Sequence, residues 1–186
     1  MKCMIGAALC LLLAVASPPA GPAESQRQGN SPVVRSRDGT LQVEVFTRAS
    51  PGAAGRLHYR VSFSGHDAIE PSGLGVRLTD GTELGHDTVI AGSIPAVIDS
   101  SFEQYPGKRR HVIDRANEVA VTLQERGVRP LAWQLVVRAY DDGVALRYRF
   151  PSQPGWPSLA LADERTEFAF PESAVATMLP LEGFTT

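Results

Sequence analysis

Apolar and polar residues alternate along much of this chain, and this period of two is the feature that most restricts its fold. The alternation is clearest in four stretches, residues 41–45, 57–63, 74–78 and 119–123. Successive side chains of a strand point to opposite faces of a sheet, so each stretch predicts a strand with one buried face. No convincing run has apolar residues at helical spacing, since the nearest case, residues 162–168, is too short. The sequence predicts an all-β protein with little helix.

The strongest local signal is a pair of alternating runs, residues 131–140 and 144–150, joined by Asp141-Asp142-Gly143. Asp-Gly favours a tight hairpin turn because both residues tolerate positive φ, so we expect a glycine in that conformation at Gly143. A register slip of one residue would move each apolar set, Trp133 included, from the core into water. The pairing of these two strands is therefore well specified.

Turn residues recur between the other alternating stretches. They are Asp38-Gly39, Pro51-Gly52, Ser64-Gly65, Pro71-Ser72-Gly73, Asp80-Gly81 and Pro106-Gly107. Short strands that are separated by turns this often are typical of an antiparallel β-sandwich.

The first 23 residues have the pattern of an export signal. Lys2 precedes an apolar run at residues 5–16, and small residues suit cleavage after Ala16 or after Ala23. Residues 24–32 are polar without periodicity and predict a flexible lead-in, so the folded domain is expected to occupy residues 33–186. The expected location is secreted or periplasmic, with no membrane attachment after cleavage.

Charge and cysteine content exclude several kinds of partner and chemistry. The chain has 18 basic and 20 acidic residues, a net charge of −2, which gives no basic surface for nucleic acid. Both cysteines, Cys3 and Cys10, lie in the predicted signal. The exported chain is therefore expected to have no disulfide, thiol nucleophile or cysteine metal site.

Common catalytic and metal motifs are missing from the sequence, including G-x-S-x-G, the phosphate-binding loop, H-E-x-x-H and the acidic calcium loop. Two similar pieces, His66-Asp67 and His86-Asp87, each follow a glycine and offer imidazole and carboxylate ligands. Glycine followed by polar and then β-branched residues is more typical of a turn that enters a strand, and we favour that interpretation. The basic run at residues 108–111 follows Pro-Gly and is interpreted as a solvated loop.

Glycoside chemistry needs two carboxylates at a set separation, and the sequence selects no such pair. The candidates are Asp141, Asp142, Asp163, Glu164, Glu167, Glu172 and Glu182. The aspartates of the 141–143 turn already have a structural role, and the others sit at outward positions. Trp133 is expected on the core-facing side of its strand. For Trp156, which lies between Gly155 and Pro157, we favour a structural role in packing the loop over a role in stacking against a sugar ring.

The stretch at residues 138–148, RAYDDGVALRY, resembles the signature of the N-terminal domain of glycoside hydrolase family 97, the α-glucosidase and α-galactosidase family. Other pieces of the family's sequence follow in the same order. They lie at residues 36–39, 57–61, 69–75, 117–118 and 164–168. The likeness extends over about residues 32 to 175.

The resemblance implies a sandwich of the galactose-mutarotase-like super-sandwich type, incomplete at the C-terminus, that precedes a catalytic (β/α)₈ barrel. In the family the catalytic carboxylates come from the barrel, and the sandwich's calcium-binding Glu lies in a later strand. No catalytic, cofactor-binding or metal residue is therefore assigned here, and Glu182 matches no family motif. Calcium is expected only for the full-length enzyme.

The sequence favours the non-catalytic N-terminal sandwich of an exported family 97-like exo-α-glycosidase, which supports the barrel and its carbohydrate pocket. The longer enzyme would bind an α-glucoside or α-galactoside, and this part alone is expected to be inactive. The alternative is a free-standing exported sandwich that binds carbohydrate or another protein.

Overall fold

A computed structural model describes residues 31–50, 52–105, 110–126, 131–156 and 158–175. These residues form strands and contain no helix, so no membrane-spanning helix is found among them. The predicted signal peptide and residues 24–30 lie outside this part. The strands are β1 Val33–Arg35, β2 Leu41–Ser50, β3 Ala53–Phe63, β4 His66–Gly73, β5 Val76–Leu78, β6 Glu83–Leu84, β7 Thr88–Glu103, β8 His111–Glu125, β9 Ala132–Ala139, β10 Val144–Arg149 and β11 Leu161–Glu164.

The strands are arranged in three antiparallel sheets. The first sheet has the order β1-β2-β3-β4, and the second sheet has the order β10-β9-β8-β7. A small sheet, with the order β11-β5-β6, lies beside them. All neighbours in the two large sheets are consecutive in the chain, which is the pattern that hairpin connections produce. The predicted antiparallel β-sandwich is confirmed.

The two large sheets share one hydrophobic core between their inner faces. The first sheet contributes Val43, Val45 and Leu57, and the second contributes Val121, Leu123, Leu135 and Val137, all fully buried. Burial of each such side chain stabilises the fold by about 1.5–3 kcal/mol. Trp133 is fully buried as predicted, and its ring contacts Tyr148 at 5.6 Å and Phe150 at 5.8 Å between centroids. The alternating runs before and after residue 141 therefore do point into the core.

Four of the predicted turns are confirmed by a glycine with positive φ. These are Gly39, Gly52, Gly65 and Gly81, with φ between 77° and 85°. The turn predicted at residues 71–73 is wrong, because these residues end β4 and Ser72 is buried. Its hydroxyl accepts the Ala169 N–H at 2.9 Å and donates to the Glu70 carbonyl at 2.7 Å. The Pro106-Gly107 turn lies outside the described residues.

The β9–β10 hairpin forms where the sequence predicts it, but its turn differs from the expected one. Val144 pairs with Ala139, and the Tyr140 N–H donates to the Gly143 carbonyl at 2.8 Å, so the loop comprises residues 140–143. Gly143 does not have positive φ. The longer loop removes the backbone twist that a two-residue turn would require, and with it the need for glycine.

Candidate functional site

A polar groove of about 510 Å³ lies where the small sheet meets the ends of β3 and β4. Most of its polar lining consists of ionisable side chains, and three of the candidate carboxylates are among them. These side chains are Arg56, Glu83, His86, Asp163, Glu164, Arg165 and Glu167. The structure thus gathers Asp163, Glu164 and Glu167, which the sequence could not assemble, around one depression.

Glu167 is the most firmly held carboxylate of the polar groove. One of its oxygens accepts a hydrogen bond from Arg56 at 2.6 Å and the other accepts the Gly73 N–H at 2.9 Å. The Gly73 N–H, and then the charge of Arg56, lower the pKa of Glu167 below its usual value. A Cβ at Gly73 would lie 2.7 Å from the carboxylate, so only glycine permits this approach. Glu167 is therefore ionised at neutral pH, which suits an anchor and not a general acid.

The other groove carboxylates also have protein partners. Asp163 lies 3.5 Å from Arg77 and 3.4 Å from Arg165, and Arg165 is 3.6 Å from Glu83. Glu164 accepts a hydrogen bond from the Thr166 hydroxyl at 2.7 Å. These contacts join β11 to β5 and to the start of β6.

A second depression, the apolar cleft, has a volume of about 740 Å³ and opens between the two large sheets. The segment at residues 161–168 covers one side of it. Apolar side chains from both large sheets and from this segment form its walls. They are Tyr59, Val61 and Ile69 of the first sheet, Val144, Leu146 and Tyr148 of β10, Phe150 directly after β10, and Leu161 and Phe168 of the segment. Burial raises the pKa of Tyr59 to about 12 and also raises that of Tyr148. Both hydroxyls therefore remain protonated and able to donate a hydrogen bond.

Those two hydroxyls connect the apolar cleft to the polar groove. Tyr59 donates to the Glu167 carbonyl at 2.9 Å, and the Tyr148 oxygen lies 2.7 Å from the Thr166 hydroxyl. The Gly75 N–H donates to Tyr148 at 3.3 Å. The segment that lines both depressions is thus fixed to each large sheet by a tyrosine.

The remaining candidate carboxylates do not join this site. Asp141 accepts the Asp38 N–H at 3.0 Å and links the β9–β10 loop to the β1–β2 turn, while Asp142 and Glu172 are exposed. Glu182 lies outside the described residues, as do Lys108 and Arg109 of the basic run. The turn interpretation at residues 141–143 holds for the hairpin although not for its φ angles.

The two His-Asp pieces occupy the positions that the turn interpretation predicts. His66 begins β4 after Gly65, and Gly85, with φ of 92°, precedes His86 and leads into β7. Among the described residues no three His, Cys, Asp or Glu side chains are grouped so that they could hold a metal ion. Trp156 packs partly buried against the core, in agreement with a packing role.

Sequence reasoning missed the partners that shape the groove. Arg56 is 111 residues from Glu167, and Gly73 is 94 residues from it, so no local pattern connects them. It also missed Glu125, whose buried carboxylate accepts hydrogen bonds from three groups distant in the chain. The one available signal was the piece at residues 164–168, which contributed to the family resemblance.

Comparison with known proteins agrees with the fold and with that resemblance. The sequence model for the family described as glycosyl-hydrolase 97 N-terminal matches residues 34–186. The chain belongs to this family. A probable retaining alpha-galactosidase of Streptomyces bingchenggensis (strain BCW-1) is 31% identical over 174 residues, which is 93% of this chain. A retaining alpha-galactosidase of Bacteroides thetaiotaomicron is 27% identical over 145 residues, or 72% of this chain.

Solved structures give the same result for the family 97 sandwich. A family 97 enzyme from Pseudoalteromonas sp. strain K8 in complex with acarbose has a TM-score of 0.65 and 26% identity, and it covers 76% of this chain. A beta-arabinopyranosidase has a TM-score of 0.65 and 31% identity over 75% of this chain. This chain spans only 20% and 21% of those two chains, and 25% and 20% of the two curated relatives.

Proposed function

We propose that this chain is the non-catalytic N-terminal sandwich of an exported family 97 exo-α-glycosidase, in which it supports a catalytic barrel and its carbohydrate pocket. The observation that carries the proposal is the family match over residues 34–186 in a chain that spans a quarter or less of its α-galactosidase relatives. The sandwich is only one part of such a protein, and we assign glycoside hydrolysis to another part, the barrel.

The state of the groove carboxylates supports this division of roles. A glycosidase needs one protonated carboxyl as the acid and one free carboxylate as nucleophile or base. Glu167 is held ionised by Gly73 and Arg56, and Asp163 is held between two arginines. The lowered pKa of Glu167 does not suit an acid catalyst, and the carboxylate of Asp163 is engaged in contacts within the protein.

Calcium is proposed for other parts of the longer enzyme. The described residues offer no group of three acidic or histidine side chains that would suit a calcium ion. Export rests on the signal pattern of residues 1–23, whose Lys2, apolar run and small residues match what a signal peptidase recognises.

The second candidate is a free-standing sandwich that binds a sugar. The polar groove favours it, because a depression of about 510 Å³ lined by Arg, His and carboxylate side chains could hydrogen-bond several hydroxyls. This candidate predicts saturable binding of a mono- or disaccharide by the 186-residue chain.

The test is to read the coding sequence beyond Thr186 and to assay both products with aryl α-glucosides and α-galactosides. We expect a longer reading frame, hydrolysis by its product and none by the 186-residue chain. Turnover by the purified 186-residue chain would contradict the non-catalytic role. A stop codon after Thr186, together with saturable sugar binding, would favour the free-standing module instead.

A further inference from the structure

A third depression, of about 550 Å³, lies beside the polar groove, and we call it the Glu125 pocket. It shares Glu83, Leu84 and His86 with the polar groove. Its other walls come from the β5–β6 turn, the segment between β6 and β7, the end of β8 and the loop after β10. Its volume lies within the range of about 300–1,000 Å³ that is usual for small-molecule sites.

Glu125 reaches this pocket from the core with one of its two carboxylate oxygens. Its Oε1 accepts hydrogen bonds from Gly85, Thr88 and Trp133 at 2.6–2.8 Å. Its Oε2 has no hydrogen-bond partner among the described residues. Every fully buried side-chain N or O atom in that part of the chain does have a partner, so Oε2 must meet solvent at the pocket that Glu125 lines. The three bonds at Oε1 fix the group, and Oε2 is therefore an acceptor held in place and open to a ligand.

Arg126 and His86 bring polar N–H groups to the same pocket. Both side chains are exposed, and neither has a hydrogen-bond or ion-pair partner within the residues that the structure describes. The backbone N–H of Arg126 donates to the Asp87 carbonyl at 2.8 Å, which joins the end of β8 to the segment before β7. The Asp80 carboxylate accepts the Thr82 N–H at 3.0 Å, which stabilises the β5–β6 turn. The pocket thus has an acceptor and donors on walls that protein hydrogen bonds hold in place.

Trp156 adds an aromatic surface to the Glu125 pocket. Its side chain is half-buried, packs in part against the core and also lines the pocket. A Trp ring presents a large apolar area beside polar groups, and such an area suits the C–H face of a sugar ring. The packing role described above and a role in lining a binding site are therefore compatible.

The charges of the lining disfavour an ionic ligand. The carboxylates of Asp80, Glu83 and Asp87 would repel an anion, and the guanidinium of Arg126 would repel a cation. No three His, Cys, Asp or Glu side chains in the described ranges are grouped to hold a metal ion. A neutral ligand with several hydroxyls is repelled by neither charge and can use the acceptor and the donors together. Sugars have this chemistry, together with an apolar C–H face.

We propose that the Glu125 pocket binds a neutral mono- or disaccharide. One sugar hydroxyl donates to Oε2 of Glu125, another accepts a hydrogen bond from Arg126, and the C–H face of the ring packs against Trp156. This site goes beyond the proposed function, which gives the sandwich only a supporting role. It also differs from the polar groove, which contains neither Arg126 nor Trp156.

The test is a titration of the 186-residue chain with methyl α-galactoside, methyl α-glucoside and maltose, followed by Trp fluorescence. The chain has two tryptophans, and Trp133 is fully buried, so a sugar in the pocket should change the emission of Trp156. Arg126→Gln removes the guanidinium from the pocket. Arg147→Gln, at an exposed arginine of β10 that does not line the pocket, is the matched control. Arg56→Gln tests the polar groove, and circular dichroism checks that each variant folds.

We expect saturable binding of at least one of these sugars, with an affinity about fivefold or more lower in Arg126→Gln and unchanged in Arg147→Gln and Arg56→Gln. Glu125→Gln is a second variant, because its amide oxygen can keep the three donors while its NH₂ group replaces the open Oε2. It should weaken sugar binding about fivefold or more in a chain that remains folded.

Three results would overturn the proposal: no saturable binding, wild-type affinity in Arg126→Gln, or a loss of binding confined to Arg56→Gln. Tighter binding of choline or of galacturonate than of every neutral sugar would show that the pocket takes an ion, and would also overturn it. The proposed function is decided separately, by the reading frame beyond Thr186 and by the hydrolysis assay.

Discussion

Glu125 is the residue on which the most separate parts of the sandwich converge. It is 7% exposed, and one carboxylate oxygen accepts the Gly85 N–H at 2.8 Å, the Thr88 hydroxyl at 2.6 Å and the Trp133 indole N–H at 2.8 Å. The turn before β7, the start of β7 and the core of β9 are thus joined through one atom. Burial of a carboxylate costs free energy, and hydrogen bonds from several donors offset this cost.

Replacement of Glu125 should therefore show how much these three hydrogen bonds contribute to the free energy of unfolding. Glu125→Leu leaves three buried donors without their acceptor, and we expect it to lower the free energy of unfolding by about 2–5 kcal/mol. Glu125→Gln keeps an amide oxygen at the same position and should cost clearly less. Urea denaturation followed by Trp fluorescence measures both. Equal losses for Leu and Gln would show that the hydrogen bonds do not stabilise the fold.

Replacement by alanine should affect stability very differently at two glycines. Gly143 lacks positive φ and a Cβ there would contact nothing within 4 Å, so we expect Gly143→Ala to change stability by less than about 0.5 kcal/mol. Gly85 has φ of 92°, and its Cβ would meet the Leu74 carbonyl oxygen. Gly85→Ala should cost about 1–3 kcal/mol or more in the same denaturation experiment. A large loss of stability in Gly143→Ala would instead support the two-residue turn that the sequence predicted.

At the scale of elements, the strands were predictable where alternation and burial coincide. β2, β3, β8, β9 and β10 follow this pattern because one of their faces meets the core. The side chains of β7 that face the core could not be predicted. A β-bulge at Ala91 has no signature in the sequence, and it exchanges the core-facing and outward-facing positions of the residues that follow it. The turn at residues 71–73 was wrong because Ser72 satisfies its hydroxyl through Ala169, a tertiary contact that local turn preferences do not include.

The segment after β11 is attached to β4 through Glu167, and this attachment should depend on pH. The pKa of Glu167 is lowered from 4.5, so the unfolded chain takes up a proton at a higher pH than the folded chain does. The stabilisation is fully present above about pH 4.5 and is lost as the pH falls through the folded pKa. Because the side chain is 54% exposed, the effect will be modest.

The measurement compares the free energy of unfolding of the wild type and Glu167→Gln between pH 6 and pH 3. We expect the wild type to lose more stability over this range than Glu167→Gln, and Glu172→Gln, at an exposed carboxyl in the same segment, to follow the wild type. Parallel curves for the wild type and Glu167→Gln would contradict a lowered pKa at this residue.

At the scale of the whole molecule, the fold was accessible from the sequence and the candidate site was not. Alternation and turns specify which face of each strand is buried, and this suffices for a sandwich. The polar groove instead depends on contacts such as Arg56 with Glu167, which exist only after both large sheets and the small sheet have assembled. The sequence showed that carboxylates were present, but their pairing follows from tertiary structure.

The apolar cleft gives a last prediction about the 186-residue chain on its own. Its walls belong to both large sheets and remain partly open to water along β10, the edge strand of the second sheet. Open apolar walls beside an unpaired edge favour association, so we expect the chain to bind a hydrophobic dye and to elute partly as oligomers in size-exclusion chromatography. Leu146→Thr, inside the cleft, should reduce dye binding at least twofold, whereas Ala145→Thr, on the opposite face of β10, should not. A sharp monomer peak without dye binding would show that the cleft is closed in solution.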